Sequence, residues 1–357
     1  MTPTPLQTRQ TGAALLSAML TVTLVATFAA AALWQQWRSV EVETAERARV
    51  QSAWILTGAL DWSRLILSLD CRPCGADHLA EVWAVPLNEA RLSSFLAVDK
   101  NASETEREAF LSGQIIDLQG KLNVNNLIEG NSLSATALAS FSRLFQLLGL
   151  PKEQLLTLAS SLLEAVRDPT PSGAGAAPNP TAAPPSTGAS APASTGTPPA
   201  PVTAPVATAL SPLMPERVEQ LGWLGLPRET LAVLMPYITL LPQRTAVNIN
   251  TASAEVIYAS TPGLDMANAQ RLVAARDRKH FSTLAEANQQ IGGTEGKFND
   301  AQHAVATRFF EVTGQLRLDQ TLVQERSVLQ RDGLQVRTLW RDRGVVISPP
   351  PATAGRP

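Results

Sequence analysis

From Gly12 to Trp37 the apolar positions run almost unbroken, and no charged residue stands between Arg9 and Arg38. Ala, Leu, Val and Thr dominate Ala13 to Trp34, with no Pro and no internal Gly. That pattern predicts a continuous helix able to cross roughly 30 Å of hydrocarbon at about 1.5 Å per residue. Trp34 and Trp37 stand where such a helix leaves the bilayer, as interfacial aromatics do. Beyond them Val40, Ala45, Ala48, Ala53, Ile55, Leu56 and Leu60 keep a helical spacing, which predicts that the same helix runs on, half-buried outside the membrane.

Further along, the period changes. Gly113 to Val124 reads as two alternating runs around a turn near Gln119-Gly120, predicting a β-hairpin. Leu138 to Gly149 and Pro151 to Val166 read as two short helices, the first closed by Gly149 and the second opened by Pro151. More helices follow at Glu216–Leu221, Arg228–Tyr237, Ala252–Ala259, Met266–Arg276 and Leu284–Gln289. Phe309 to Gln320 and Leu322 to Arg341 then alternate as strands, with Asp332-Gly333 as a hairpin turn. Helices between two sets of strands predict one α+β domain carrying an α-helical insertion, not two separate folds.

Composition changes this picture in one place. Between Asp168 and Glu216 there is no charge, and Pro169 to Pro215 is almost wholly Pro, Ala, Thr, Ser and Gly. So little bulky apolar surface cannot offset the entropy of ordering, so a linker or surface loop is expected there, and a disordered tail after Ser348. The formal net charge of −2 argues against an electrostatic nucleic-acid footprint.

Candidate chemistry is sparse. His78, His280 and His303 are scattered, and no nucleophile elbow, phosphate loop or zinc-protease motif is present, so no enzyme is expected. Cys71 and Cys74, in Cys-Arg-Pro-Cys, are the only cysteines; a small structural disulfide closing a loop after a helix is favoured over a redox pair. Val247 to Val256, then Thr261-Pro262-Gly263-Leu264 and a helix from Met266, resemble the helix-hairpin-helix modules of DNA-uptake proteins. In those modules a second glycine lets the duplex backbone approach; here Asp265 stands there, and a carboxylate would repel phosphate. Arg271, Arg276, Arg278 and Lys279 could form a basic patch, although a solvated helix face is the favoured reading.

Several blocks together carry a whole-chain resemblance: Gly12-Ala13-Ala14-Leu15-Leu16, Leu118 to Leu127, Leu234 to Ile238 with Leu241-Pro242, and Asn248 to Ala252. From Gly12 to about Arg341 the sequence resembles the minor pseudopilin K family (general secretion pathway protein K) of type II secretion systems. The resemblance implies cleavage by prepilin peptidase between Gly12 and Ala13, with N-methylation of Ala13. It implies that Leu15, Leu16 and Ser17 lie in the assembly segment; Ser17 stands at the fifth mature position, where pilin-like subunits carry Glu to neutralise a neighbour's amine. It implies partnership with the minor pseudopilins I and J and through them the major pseudopilin, a place at the pseudopilus tip, and a single-pass inner-membrane protein with a cytoplasmic N-terminus and periplasmic bulk. No cofactor is expected; some pseudopilins bind calcium, but the neutral tract after Asp168 replaces the family's acidic stretch, so no ligands are identifiable.

The resemblance divides the chain into a leader (1–12), transmembrane and assembly helix (13–37), pilin-like helix and first strands (38–127), helical insertion (128–168 and 216–303), the linker between them (169–215), C-terminal strands (304–347) and tail (348–357). Three alternatives remain at this point. One is a membrane-anchored helix-hairpin-helix DNA-binding protein for uptake. A second is an ordinary cleaved signal with Ala29–Ala32 at its site, and a third is an unprocessed membrane scaffold.

Overall fold

The computed structural model describes residues 11–71, 74–91, 109–167, 212–291, 296–318 and 321–346. The leader before Thr11, the linker up to residue 211 and the tail lie outside the described residues.

One helix, α1 (Thr11–Asp70), spans 60 residues, on the order of 90 Å. The hydroxyls of Ser17, Thr21, Thr23 and Thr27 donate to carbonyls one turn back, at 2.8–2.9 Å. Each of these hydroxyls in the apolar segment is thereby satisfied within the helix itself, as a lipid environment demands. The buried stripe begins later than the sequence pattern suggested. Val40 is exposed, and continuous burial starts at Ser52 and continues through Leu56, Leu60, Ser63 and Leu67. That 4-4-3-4 spacing lays one face of the last third of α1 on a sheet.

The strands β1 (Leu87–Arg91) and β2 (Ala109–Asp117) precede the insertion. Within it lie β3 (Leu122–Asn123), β4 (Ile128–Glu129), β5 (Ser132–Leu133), α2 (Ala135–Leu147), α3 (Lys152–Arg167) and α4 (Arg228–Leu234). There follow β6 (Ile238–Thr239), β7 (Val247–Asn248), α5 (Ala254–Ser260), α6 (Met266–Arg278), α7 (Leu284–Gln289) and β8 (His303–Ala304). The chain then returns to the sheet as β9 (Phe309–Leu318), β10 (Thr321–Asp332) and β11 (Gln335–Val346). The large sheet is antiparallel in the order β1-β2-β9-β10-β11. β2 and β9 pair from Ala109↔Leu318 to Asp117↔Phe310, so the whole insertion leaves and re-enters at one end of two adjacent central strands.

Leu60, Leu67, Trp83, Phe310, Val312, Leu329 and Val336 form the core between α1 and this sheet, extended by Leu56, Leu111, Leu316 and Val323. A separate and larger core fills the helical lobe, around Phe141, Phe145, Leu158, Leu224, Val256 and Leu272. The molecule is therefore α+β, with a pilin-like body and a helical lobe.

Three sequence expectations are corrected. Gly113 to Val124 is not a hairpin: β2 pairs with β1 and β9, while β3 pairs in parallel with β6. A 3-10 turn, Leu118–Gly120, separates the two runs, because the Asp117 carboxylate captures the Gln119 N–H at 2.7 Å and turns the chain into the lobe. The insertion thus begins at about Leu118. In place of the helix expected over Glu216–Leu221, a 3-10 helix runs from Val218 to Leu224, with Arg217 extended before it. At the β10–β11 hairpin, Asp332 pairs with Gln335, so the two loop residues are Gly333 and Leu334. Gly333 takes φ +59, as the first position of a primed two-residue turn requires.

Candidate functional site

Two regions carry the chain's special chemistry: the apolar surface of α1 with a groove beside it, and a polar joint between body and lobe. Along the first, Leu15 and Leu16 are exposed, and the Ser17 hydroxyl is turned back onto the Ala14 carbonyl at 2.9 Å. Gly12 and Ala13 lie within the first turn of α1. This is the one described helix long and apolar enough to cross a membrane.

Higher on α1 an apolar groove of about 610 Å3 opens between the helix and the β1–β2 edge of the sheet. Trp54, Trp62 and Ile66 line one wall; Val82, Val85 and Leu111 line the other. Trp54, Trp62, Val82 and Val85 are all exposed, an unusual concentration of large apolar side chains at solvent. On its floor the buried Ser327 hydroxyl has no hydrogen-bond partner among the described residues. Nearby, Glu325 is buried but fully engaged. Arg341 Nε and Nη2 donate to it at 2.6 and 2.8 Å, and Arg343 Nε and Nη2 do so at 2.8 and 2.6 Å. The same two arginines reach Thr57 Oγ1 and the Ala53 carbonyl, so β11 grips α1 through charge-assisted bonds.

The polar joint is centred on Asp117 at the end of β2. Its Oδ1 accepts from Gln119 N–H and the Thr307 hydroxyl; its Oδ2 accepts from Asn248 Nδ2 and the Thr251 hydroxyl, all within 2.9 Å. Burial pushes the carboxyl's pKa up against the pull of these four donors. Asn248 also donates to the Asp77 carbonyl, and Asp77 Oδ2 accepts from Thr307 N–H. Asn123 and Asn126 hold the 241–245 segment through Leu241 N–H, the Gln243 carbonyl and Thr245. Asn250 exchanges two bonds with the backbone of Phe281. The asparagine-rich blocks therefore serve as buried connectors between segments distant in sequence, each polar group matched to a partner.

The helix-hairpin-helix-like segment, α5 to α6, is packed into this lobe. Asp265 caps α6, accepting from Asn268 N–H at 2.6 Å, so its carboxylate occupies the helix end that a phosphate would need. The expected solvated basic face is corrected at Arg276, which is buried and donates from Nη1 to the carbonyls of Ile249 and Ala252. Lys279 pairs with Glu286 at 3.0 Å, and Arg278 folds onto the Ala274 carbonyl.

Cys71 and Cys74 are joined by a disulfide immediately after α1. Among the histidines, His303 is buried, with Nε2 at 3.1 Å from both the Ser260 and Thr261 hydroxyls. Its desolvation drives the imidazole pKa down to about 4. His78 and His280, far apart in sequence, stack face to face, which spacing gave no way to foresee. Asp70, Asp77 and Glu81 converge, but Arg331 bridges the two aspartates and Trp83 Nε1 donates to Glu81, so the cluster already has its cation and its donors.

A long N-terminal helix, apolar below and laid on an antiparallel sheet above, defines a pilin-like subunit. Comparison with known proteins makes this specific. Residues 120–243 and 247–307 match the family described as type II secretion system (T2SS), protein K, together slightly more than half the chain. The type II secretion system protein K of Pseudomonas aeruginosa is 27% identical over 97% of this chain and 96% of the relative. That of Pectobacterium carotovorum is 27% identical over 95% of this chain and 98% of the relative. A solved chain of the GspK–GspI–GspJ complex of enterotoxigenic Escherichia coli superposes with a TM-score of 0.57 at 16% identity, over 84% of this chain and 98% of that one. The chain belongs to the type II secretion system protein K family.

Proposed function

We propose that this chain is a minor pseudopilin that caps the pseudopilus tip together with the I and J subunits, starts filament assembly, and helps push folded proteins across the outer membrane. The observation that carries the reading is the groove alongside α1: an apolar trough parallel to an assembly helix, rimmed by exposed Trp54 and Trp62. An apolar helix face of a partner pseudopilin suits it in size and chemistry. The related complex named for its K, I and J chains supports that choice of partner. The bulk of the helical lobe would obstruct a subunit stacked above it, which suits a terminal position. Ser17, its hydroxyl folded onto its own helix, offers no carboxylate to a neighbour's amine, a loss that costs little in a subunit at the filament end. On this reading prepilin peptidase cuts between Gly12 and Ala13, the new terminus is methylated, α1 anchors the chain in the inner membrane, and the body and lobe lie in the periplasm.

The test is co-expression of the full chain with a prepilin peptidase and the I and J subunits, followed by affinity purification and intact mass. A chain beginning at N-methylated Ala13 that brings I and J with it, and loses them with Trp62→Arg, is the expected result. A chain still beginning at Met1, or cut near Ala32, or one that copurifies with neither subunit, would overturn the proposal.

A further inference from the structure

The imidazoles of His78 and His280 lie 3.8 Å apart between ring centroids and 12° from parallel. One belongs to the loop that follows α1 in the body; the other belongs to the turn between α6 and α7 in the lobe. Both rings are half-buried. Beside them Asn248 Nδ2 donates to the Asp77 carbonyl and Asp77 N–H donates to the Val305 carbonyl, so the stack sits on a seam between the two parts.

Face-to-face stacking suits two neutral rings, or one neutral and one charged, and opposes two cations. His78 Nδ1 accepts the Ala80 N–H at 3.2 Å, which places the ring's proton on Nε2. Adding a second proton must therefore occur at Nδ1 and expel that N–H. The surrounding charges offer little compensation. Asp70 and Asp77 face His78 but are bridged by Arg331. Glu81, its Oε1 3.8 Å from His78 Nε2, spends its Oε2 on Trp83 Nε1 and His78 N–H. On the lobe side Glu286 is held by Lys279 and Ser282 N–H, and Lys279 adds positive charge of its own. Desolvation lowers the pKa of both imidazoles.

We propose that the His78–His280 stack is an acid-released latch: closed near neutral pH, it parts when both rings take up protons, freeing the loop after α1 from the α6–α7 turn while the Asp117 joint beneath stays made. A subunit exposed to a compartment that follows external pH would then present a looser lobe in acid.

Hydrogen exchange on the detergent-solubilised full chain, corrected for intrinsic rates, reads the latch at peptides spanning residues 74–84 and 279–286. In the wild type, protection there should fall about tenfold, the equivalent of one pK unit, between about pH 7.5 and 5. His280→Phe keeps a stacking ring without a titrating nitrogen and should hold its protection at both pH values. His78→Gln, which cannot stack, should be equally open at both, and serves if His280→Phe does not fold. Unchanged wild-type protection at about pH 5, or the same acid loss in either variant as in the wild type, would overturn the proposal.

Discussion

Arg331 of β10 and Asp77 of the loop after α1 form a buried ion pair that ties the sheet to the end of the long helix. The guanidinium also donates to Asp70 Oδ2 at 2.9 Å and to the Thr307 carbonyl at 3.1 Å, and lies over the Phe310 ring. Burial raises the Asp77 pKa, and Arg331 is the nearest charge pulling it back. Removing the cation leaves a buried carboxylate with only the Thr307 N–H. Arg331→Met should therefore lower the denaturation free energy by roughly 3–5 kcal/mol, the usual penalty for orphaning one member of a buried pair. A denaturant midpoint shift worth less than about 1 kcal/mol would show the pair to be dispensable.

Asp117→Asn tests the joint. Four donors converge on its two oxygens, and an amide can accept from only one pair of them. Its NH2 must then face either Asn248 Nδ2 and the Thr251 hydroxyl, or Gln119 N–H and the Thr307 hydroxyl. We expect a loss of about 1–3 kcal/mol, against about 1 kcal/mol for Thr307→Val, which deletes a single donor. Equal effects in the two variants would argue that the carboxylate is not the centre of the network.

The sequence revealed the elements whose burial is periodic and local. α2, α3 and α6 follow helical stripes, and Asp332-Gly333 marked the hairpin between β10 and β11 to within one residue of its loop pair, Gly333-Leu334. It failed where one side chain overrode a pattern. Leu118 to Val124 alternates like a strand, yet Asp117 bends the chain away before it can pair with itself. β1, with mostly exposed polar residues at a sheet edge, has no apolar alternation to detect. Arg276 sits among arginines that look alike in sequence, and only the carbonyls of Ile249 and Ala252, brought near by the fold, single it out. The apolar span was legible at once; the groove beside it was not, since its walls come from α1, the 3-10 turn Val82–Ala84 and β2.

Gly120 is where the joint closes most tightly. A Cβ there would lie 2.9 Å from Thr251 Oγ1 and 3.2 Å from the Thr251 carbonyl carbon. Thr251 cannot give way freely, because its hydroxyl is spent on Asp117 at 2.6 Å. Gly120→Ala should cost about 1–3 kcal/mol through overpacking. In the Gly120→Ala/Thr251→Ala double variant the clash with the hydroxyl should vanish while the backbone contacts at 3.2 and 3.3 Å remain, so that the two losses are less than additive. Strict additivity in thermal melts would place the strain elsewhere.

His303 gives the fold a measurable acid dependence. Its Nδ1 accepts from Asn299 N–H at 3.3 Å, so Nε2 carries the proton and donates toward the Ser260 and Thr261 hydroxyls. The folded pKa is about 4, below the ordinary 6.5. As pH falls below about 6.5 the unfolded chain takes up a proton that the folded chain refuses until about 4, so stability declines across that window and levels off beneath it. The full difference is about 3 kcal/mol. Asp77, Glu81 and Asp117 act in the opposite sense, since burial raises their pKa values and protonation then favours the folded state. The wild-type curve alone would mix these contributions, whereas the difference between wild type and His303→Gln isolates one of them. That difference should shrink steadily from about pH 6.5 to 4 and stay flat above 7; a difference independent of pH would mean that folding leaves the imidazole pKa where it stands in the unfolded chain, and that the buried site does not exclude a second proton.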